Sequence, residues 1–210
     1  MAAFDISNTS QWEVSNDKDI EIKMRSTWKS DLDIPEEILP CVRILNSANF
    51  LDMLSNVFDI KGILMDPYYS GGGLNITPKN GLLDVHVDGN YHDITGMNRR
   101  LNVILYLNKN WENSWGGELG LYDEKGDKLE KKIEPIFNRL FIFQTNDFSF
   151  HGLPNPINFP ENEFRKSLIL YYYTVSDRNE DEKFVAQPHS ALWKKRGLKD
   201  KKGYLIRNKF

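Results

Sequence analysis

The sequence predicts a mainly β protein, folded as an antiparallel sandwich or barrel. Short runs rich in β-branched and aromatic residues recur from residue 60 onward, and segments dense in Gly, Asn, Asp or Pro separate them. No helical pattern lies between these runs, which disfavours parallel strands joined by crossover helices. The predicted strands are residues 62–65, 82–87, 101–107, 118–122, 140–143 and 167–175.

Length and composition fit one globular domain. The 210 residues suit a single domain, with hydrophobic residues at 40% and charged residues at 27%. No stretch approaches the roughly 18 apolar residues that a membrane span needs. Because 27 basic residues face 30 acidic ones, the net charge of −3 indicates no nucleic-acid partner. These features leave the oligomeric state open.

The cysteine content indicates the compartment. Cys41 is the single cysteine of the sequence and cannot form an internal disulfide. The first residues also lack the basic and apolar regions of a signal peptide. We therefore expect a cytoplasmic protein.

Residues 1–59 precede the predicted strands. Residues 1–35 are polar, with Trp12 and Trp28 as their large apolar residues, and we interpret them as an N-terminal arm laid on the domain. Residues 36–59 form a supporting helix region. Its apolar residues recur at helical spacing behind an Asn46-Ser47 cap and predict one amphipathic helix. They are Phe50, Leu51, Leu54, Val57 and Phe58.

The β core spans residues 60–176, and a basic extension, residues 177–210, follows it. Residues 194–209 contain eight basic side chains and one acidic side chain. Such a segment is typical of a solvated tail, and it could instead steer an anionic partner. The interleaved Trp193, Leu198, Tyr204 and Leu205 could equally dock the extension onto the sheet.

Two histidines and one aspartate form a candidate metal site. On a strand, His86 and Asp88 point to the same face while Val87 points to the other. His151 follows the predicted strand at residues 140–143. Two histidines and a carboxylate that leave three positions open form the facial triad of non-haem iron(II) oxygenases. We therefore predict His86, Asp88 and His151 as metal ligands.

Other assignments of these residues remain open. A His-x-Asp pair is also typical of a hydrogen-bonded surface pair, and His92 could supply a third ligand locally. The Gly89-Asn90 break favours His92 as a loop residue. His189 follows Pro188 with no carboxylate at ligand spacing, so we expect it at the surface.

A second group of residues predicts a carboxylate site. Arg165 and Ser167 share one face of the last predicted strand, and a guanidinium beside a hydroxyl binds carboxylates through paired charge-assisted hydrogen bonds. Tyr106 could add a phenol donor to the same carboxylate. Its alternative is a packed core aromatic residue.

Residues from about 60 to 176 carry these features in a characteristic order. That order resembles the catalytic domain of the iron(II)- and 2-oxoglutarate-dependent dioxygenases, in particular the prolyl 4-hydroxylase-like branch. The matching pieces are His86-Val87-Asp88, residues 100–111 with the Tyr106-Leu107-Asn108 segment, Gly116-Gly117-Glu118-Leu119, Ile133-Glu134-Pro135 with Asn138-Arg139-Leu140, His151, and Arg165-Lys166-Ser167.

The resemblance implies a double-stranded β-helix, or jelly roll, supported by N-terminal helices. It implies that the predicted triad binds Fe(II) and that Arg165 holds the far carboxylate of 2-oxoglutarate. Tyr106 would hydrogen-bond the same carboxylate, and Ser167 and Tyr69 are further candidates for cofactor binding. The resemblance also implies O2 as co-substrate and ascorbate as an optional reductant.

The implied reaction is hydroxylation of a C–H bond, with conversion of 2-oxoglutarate and O2 to succinate and CO2. The resemblance suggests a prolyl residue in a peptide or protein as substrate, and Asp88 favours hydroxylation over chlorination because halogenating relatives lack this carboxylate. Residues 71–81 and 88–100 flank the first ligands and are predicted as mobile specificity loops. The alternatives are a hydroxylase of a free small molecule (amino acid, sugar or other metabolite), a noncatalytic metal-binding jelly-roll module and a cupin-like metal hydrolase.

Overall fold

The computed structural model describes residues 7, 9–176 and 188–199. Within these residues the chain forms two α-helices and two β-sheets in which every paired strand is antiparallel. The prediction of a mainly β, antiparallel fold is confirmed. None of the helices in the described ranges is long and apolar enough to cross a membrane.

Twelve strands make up the two sheets of the described chain. They are β1 (Trp12–Asp17), β2 (Glu21–Ser26), β3 (Leu64–Met65), β4 (Gly73–Thr77), β5 (His86–Val87), β6 (Asn98–Tyr106), β7 (Leu119–Tyr122), β8 (Leu129–Ile133), β9 (Leu140–Gln144), β10 (His151–Gly152), β11 (Arg165–Thr174) and β12 (Leu192–Trp193). The larger sheet has the order β1-β2-β4-β11-β6-β9, with β3 also paired to β11. The smaller sheet has the order β12-β5-β10-β7-β8.

The two long central strands, β6 and β11, separate two apolar layers. Because side chains alternate along a strand, each strand contributes to both layers. One layer packs against the helices and includes Leu101, Val103, Leu168, Leu170 and Tyr172. The other lies between the two sheets and includes Ile104, Tyr106, Leu119 and Ile169. The residues of the inner layer surround the candidate site described below.

Two helices cover the outer face of the larger sheet: α1 (Leu39–Leu45) and α2 (Ala48–Phe58). The Ser47 hydroxyl caps α2 by accepting a hydrogen bond from the Phe50 backbone N–H at 3.4 Å, as its position before the apolar run predicts. Leu54 of α2 is fully buried, whereas Val57 is exposed. The Tyr172 hydroxyl donates to the Leu45 carbonyl at 2.8 Å and ties the helices to β11.

The predicted N-terminal arm contains a hairpin. Strands β1 and β2 pair along six residues each, and β2 joins β4 of the larger sheet. Trp12 and Trp28 are both buried, as expected of its apolar anchors. The sequence pattern did not predict these strands, because their side chains are largely polar. β1 lies at the edge of the sheet, where one face is exposed to solvent.

The prediction of a mobile loop at residues 71–81 is wrong for the central residues of this range. Residues 73–77 form β4, which lies between β2 and β11 with all five residues buried. The adjoining glycines and Asn75 resemble a turn in the sequence, but neighbouring strands on both sides satisfy the backbone. Mobility as a specificity loop is therefore excluded for this segment.

Gly73 provides a test of this packing. Its φ of +104° is unfavourable for other residues, and an added Cβ would lie 2.2 Å from the Ser26 hydroxyl oxygen. That oxygen cannot easily rotate away, because it accepts a hydrogen bond from the Leu74 N–H. We expect Gly73→Ala to lower the free energy of unfolding by on the order of 2–4 kcal/mol, measured by urea denaturation. Gly62→Ala, with positive φ but no atom near the added Cβ, is the control and should cost less.

The described part of the basic extension, residues 188–199, is docked onto the smaller sheet. β12 pairs with β5, so docking describes this part better than a solvated tail does. His189 is 1% exposed, and the expectation that it lies at the surface is wrong. Its ring contacts Asp147, which is distant in sequence, so the spacing of the residues near His189 could not predict this partner. Tyr204 and Leu205 lie outside the described residues.

Candidate active site

The structure brings the three predicted metal ligands together. β5 and β10 are neighbours with His86 directly opposite His151, and Asp88 follows β5. The His86 Nε2 lies 3.7 Å from one Asp88 carboxylate oxygen, and the His151 Nε2 lies 3.8 Å from the other. One ligand atom from each residue lies within 4.8 Å of the other two, and all three residues are buried. This donor set suits a divalent transition metal.

Backbone carbonyls orient both imidazoles. The His86 Nδ1 lies 2.8 Å from the Asp84 carbonyl oxygen, and the His151 Nδ1 lies 2.9 Å from the Ser149 carbonyl oxygen. Since a carbonyl can only accept, each Nδ1 carries the proton and donates it. The lone pair of each Nε2 is therefore directed at the point that the three ligand atoms surround, called the shared point below, as a metal ligand requires.

Aromatic rings restrain the same imidazoles. The Trp193 indole stacks on His86 with ring centroids 4.4 Å apart and an interplanar angle of 23°. Phe143 meets His151 edge-on, with centroids 4.8 Å apart. These contacts limit rotation of both rings.

The charges at the site favour the metal-binding protonation states. Burial tends to raise the pKa of Asp88, but His151, His86 and Arg99 outweigh it and hold that pKa below its usual range. Burial lowers the pKa of His151 to about 4, aided by His86 and opposed by Asp88. At neutral pH the pair thus offers an ionised carboxylate and a neutral imidazole.

Asn102 on β6 holds the third ligand. Its side-chain amide donates to Asp88 Oδ2 at 2.9 Å. The sequence interpretation missed this residue, although strand alternation places it on the same face as Tyr106 and could have identified it. Hydrogen bonds from a residue outside the ligand group orient ligating carboxylates in this way.

We expect Asn102→Ala to weaken divalent metal binding by about 10–100-fold, because Asp88 loses the donor that orients it. Titration with Co(II) under anaerobic conditions measures this change. The control is Asn98→Ala on the same strand, since the Asn98 amide donates to the Ser176 carbonyl. Unchanged affinity in Asn102→Ala would refute the positioning role.

Arg165 begins β11 and lies buried beside Tyr106. Its Cζ is 5.2 Å from the centre of the Tyr106 ring, and its Nε donates to the Gly117 carbonyl at 2.6 Å. Burial lowers the pKa of Arg165, while Tyr106 and Glu118 oppose the change. Burial also raises the pKa of Tyr106, against the influence of Arg165.

Gly117 allows the arginine to lie against the backbone. An added Cβ at this position would approach the Arg165 Cδ to 3.1 Å and Phe159 to 3.2 Å. The φ of Gly117 is +87°, which also favours glycine. Gly117, the second residue of the glycine pair, thus makes room for the Arg165 side chain.

Two buried hydroxyls adjoin this guanidinium. Ser167 lies directly opposite Tyr106 across β11 and β6, and it shares the inner face of β11 with Arg165. Among the described residues, neither the Tyr106 hydroxyl nor the Ser167 hydroxyl has a hydrogen-bond partner. Buried polar atoms are seldom left unpaired, so an acceptor from a ligand fits here. A carboxylate would satisfy both hydroxyls and the guanidinium.

One strand connects the metal ligands and this carboxylate clamp, defined as Arg165, Tyr106 and Ser167. Asn102, Ile104 and Tyr106 share the inner face of β6, and four residues of strand span about 13 Å. Asn102 contacts Asp88 at one end, and Tyr106 adjoins Arg165 at the other. The inner face of β6 therefore contacts the metal site at one end and the anion site at the other, at a fixed spacing.

A cavity of about 370 Å³ opens at His86 and Asp88. Arg99 lies over the Tyr171 ring at 3.9 Å from its centre, and both residues line this cavity. The remaining lining residues are Glu21, Lys23, Arg25, Ser70, Gly71, Gly89, Tyr91, Asp93, Ser190, Ala191 and Trp193. His86 and Asp88 are thus accessible to a molecule from outside.

The structure places Tyr69 and His92 apart from both groups. The Tyr69 hydroxyl donates to Asp31 at 2.5 Å, and its ring packs edge-on against Trp28. Tyr69 lines a second cavity of about 340 Å³, so its assignment to co-substrate binding is not supported. The His92 Nε2 lies 2.9 Å from an Asp66 oxygen, and His92 does not belong to the metal-ligand group.

Comparisons with known proteins agree with this geometry. A family model described as the 2OG-Fe(II) oxygenase superfamily matches residues 71–173. The chain is 32% identical over 99 residues to human prolyl hydroxylase EGLN3, which covers 47% of this chain and 37% of that protein. It is also 32% identical over 89 residues to mouse prolyl 3-hydroxylase OGFOD1, covering 40% of this chain and 16% of that protein. The chain thus aligns with well under half the length of these curated relatives.

Solved structures share the fold. A prolyl hydroxylase from Trichoplax adhaerens, in complex with a hypoxia inducible factor oxygen degradation domain peptide fragment, has a TM-score of 0.56 at 18% identity and covers 81% of this chain and 74% of its own. A Pseudomonas putida prolyl-4-hydroxylase has a TM-score of 0.51 at 18% identity and covers 80% of each chain. These likenesses confirm the jelly-roll prediction.

Proposed function

Because this chain belongs to the 2OG-Fe(II) oxygenase superfamily, we propose that it hydroxylates a C–H bond with Fe(II), 2-oxoglutarate and O2. His86, Asp88 and His151 hold the iron, and Arg165 with Tyr106 and Ser167 holds the far carboxylate of 2-oxoglutarate. When bound, iron and 2-oxoglutarate would supply, with O2 as the oxidant, the decarboxylation to succinate and CO2 that is coupled to hydroxylation. Ascorbate is proposed as an optional reductant.

One observation carries this proposal. A buried His-Asp-His group contacts one end of the inner face of β6 through Asn102, and a buried guanidinium with two unpaired hydroxyls lies at the other end, beside Tyr106. A metal hydrolase or a structural metal site needs no such anion clamp. The clamp therefore favours a co-substrate with a remote carboxylate.

The side chains of this protein position the reactants and exclude water. Each Nδ1 keeps its proton and donates it to a backbone carbonyl, so neither imidazole is free to act as a general acid or base while it binds a metal. Asn102 keeps Asp88 aimed at the shared point. Apolar Ile104, Leu119 and Ile169 line the space between the sheets and keep it dry.

We propose a prolyl residue of a peptide or protein as the substrate. The curated relatives are prolyl hydroxylases, and the T. adhaerens structure holds a peptide. The two cavities described above also adjoin, since both are lined by Arg25, Ser70 and Gly71. Together they offer more room than a single amino acid needs, which favours a polypeptide.

Two measurements on the purified full chain test the proposal. Anaerobic addition of Fe(II) and 2-oxoglutarate should produce the weak visible charge-transfer band of the chelate. In air, a screen of proline-containing peptides against free amino acids and sugars should show peptide-dependent succinate release. The responding peptide should gain one oxygen atom by mass, labelled from 18O2.

The outcomes separate the alternatives. Succinate coupled to a free metabolite would identify a small-molecule hydroxylase. Metal binding without the chelate band or turnover would identify a noncatalytic module and overturn the proposal.

A further inference from the structure

The C-terminal segment, residues 188–199, packs against the metal site although the family match ends at residue 173. Its strand β12 pairs with β5, the strand that carries the first metal ligand. In this pairing Trp193 lies directly opposite His86 and Leu192 opposite Val87. The segment thus extends the smaller sheet at the candidate active site.

Trp193 confines the His86 ring. The indole is 3% exposed and stacks nearly parallel to the imidazole, while His151 lies at 4.3 Å between ring centroids. With the Nδ1 proton held by the Asp84 carbonyl, the ring is restrained by a hydrogen bond and by a flat aromatic face. Rotation of the imidazole away from the shared point would meet the indole.

The segment also holds the residues that flank the first two ligands. The Lys194 N–H donates to the Val85 carbonyl at 2.8 Å, and the Lys195 N–H donates to the Asp84 carboxylate at 2.9 Å. Asp84 is the residue whose carbonyl orients His86. Beyond Asp88, Asn90 and His189 exchange two hydrogen bonds, the His189 N–H donating to the Asn90 amide oxygen and the Asn90 N–H donating to the His189 carbonyl.

A buried hydrogen-bonded pair anchors the start of the segment. The His189 Nε2 lies 2.8 Å from an Asp147 oxygen, and both side chains are buried. Asp147 belongs to the turn that precedes His151. The segment therefore contacts the chain next to all three metal ligands.

The segment forms one wall of the cavity at the metal ligands. Ser190, Ala191 and Trp193 line it together with His86 and Asp88. Truncation before residue 188 would open this wall to solvent.

We propose that the C-terminal segment completes the active site and that Trp193 is a positioning residue for His86. This inference rests on the proposed function, because it takes His86 as a metal ligand. Loss of the indole frees the imidazole to adopt orientations that do not bind metal, and metal affinity falls. A positioning partner of a metal ligand typically contributes 10–100-fold in affinity.

The test is anaerobic Co(II) titration of the full chain, followed by electronic absorption, with Co(II) standing in for iron. Trp193→Ala should bind about 10–100-fold more weakly and show an altered ligand-field spectrum. Trp193→Phe keeps a flat ring against His86 and should restore both readouts. Trp12→Ala is the matched control, since Trp12 is a buried tryptophan of the outer core, away from the cavity.

Each result decides one question. Wild-type protein that fails to bind Co(II) would refute the proposed function itself. Wild-type binding with equal affinity in Trp193→Ala, or an equal loss in Trp12→Ala, would refute only the positioning role. If Trp193→Ala does not fold, Trp193→Leu replaces it, because leucine keeps apolar volume without a flat face.

Discussion

Asp88→Ala is expected to reduce turnover to the assay background while the protein stays folded. The substitution removes the single carboxylate among the three ligands, and two neutral imidazoles alone hold a divalent metal poorly. The side chain faces an open cavity and contributes little apolar packing. Succinate release and Co(II) titration measure the loss, and far-UV circular dichroism with a thermal melt reports the fold. His86→Ala should behave in the same way.

The matched control for Asp88→Ala is Asp93→Ala. Asp93 lines the same cavity but does not belong to the ligand group. Its replacement should leave Co(II) affinity close to that of the wild type. Retained Co(II) binding and turnover in Asp88→Ala would contradict the metal assignment, and unfolding of both ligand variants would show that these residues are structural.

Arg165→Ala is expected to weaken 2-oxoglutarate binding by about 10²–10³-fold, because the co-substrate carboxylate would remain buried without its cation. Tyr106 and Ser167 would still offer hydroxyls, but neither carries charge at neutral pH. Arg165→Lys should recover only part of the affinity, since an ammonium group lacks the paired donors of a guanidinium. The apparent KM for 2-oxoglutarate and the intensity of the anaerobic chelate band measure the effect.

Two controls make the Arg165 result specific. Co(II) affinity should not change, because Arg165 is not among the metal ligands. Arg43→Ala, an exposed arginine on α1, should leave the KM for 2-oxoglutarate unchanged. An Arg165→Ala variant with an unaltered KM for 2-oxoglutarate would contradict the role of Arg165 in the clamp, whereas activity that needs no 2-oxoglutarate would favour the cupin-like hydrolase alternative.

Local periodicity predicted the elements that matter most for the site. Alternation along a strand placed His86 with Asp88, and Arg165 with Ser167, without knowledge of the sheet order. It also predicted α2 with its Ser47 cap, which the structure confirms. Long-range pairings were harder to foresee, because β1, β2 and β4 lack the apolar alternation of isolated strands.

The tertiary structure alone showed the contacts of Tyr69, Asn102 and Trp193. Tyr69 lies beside Trp28 and not in the clamp, because the chain enters the buried strand β4 directly after the turn at residues 70–72. Asn102 reaches Asp88 from the facing sheet. Trp193 reaches His86 because β12 returns to β5 from more than a hundred residues further along the chain.

The sequence by itself determined the strand-rich fold class, the pairing of His86 with Asp88 on one face and the types of side chain available for metal and carboxylate binding. These properties depend on neighbours within a few residues, since the strand period of two residues is the same in any sheet. The tertiary structure decided which distant side chains complete the site. Contacts such as Trp193 on His86 follow from sheet order and register, which are set by packing of the whole chain.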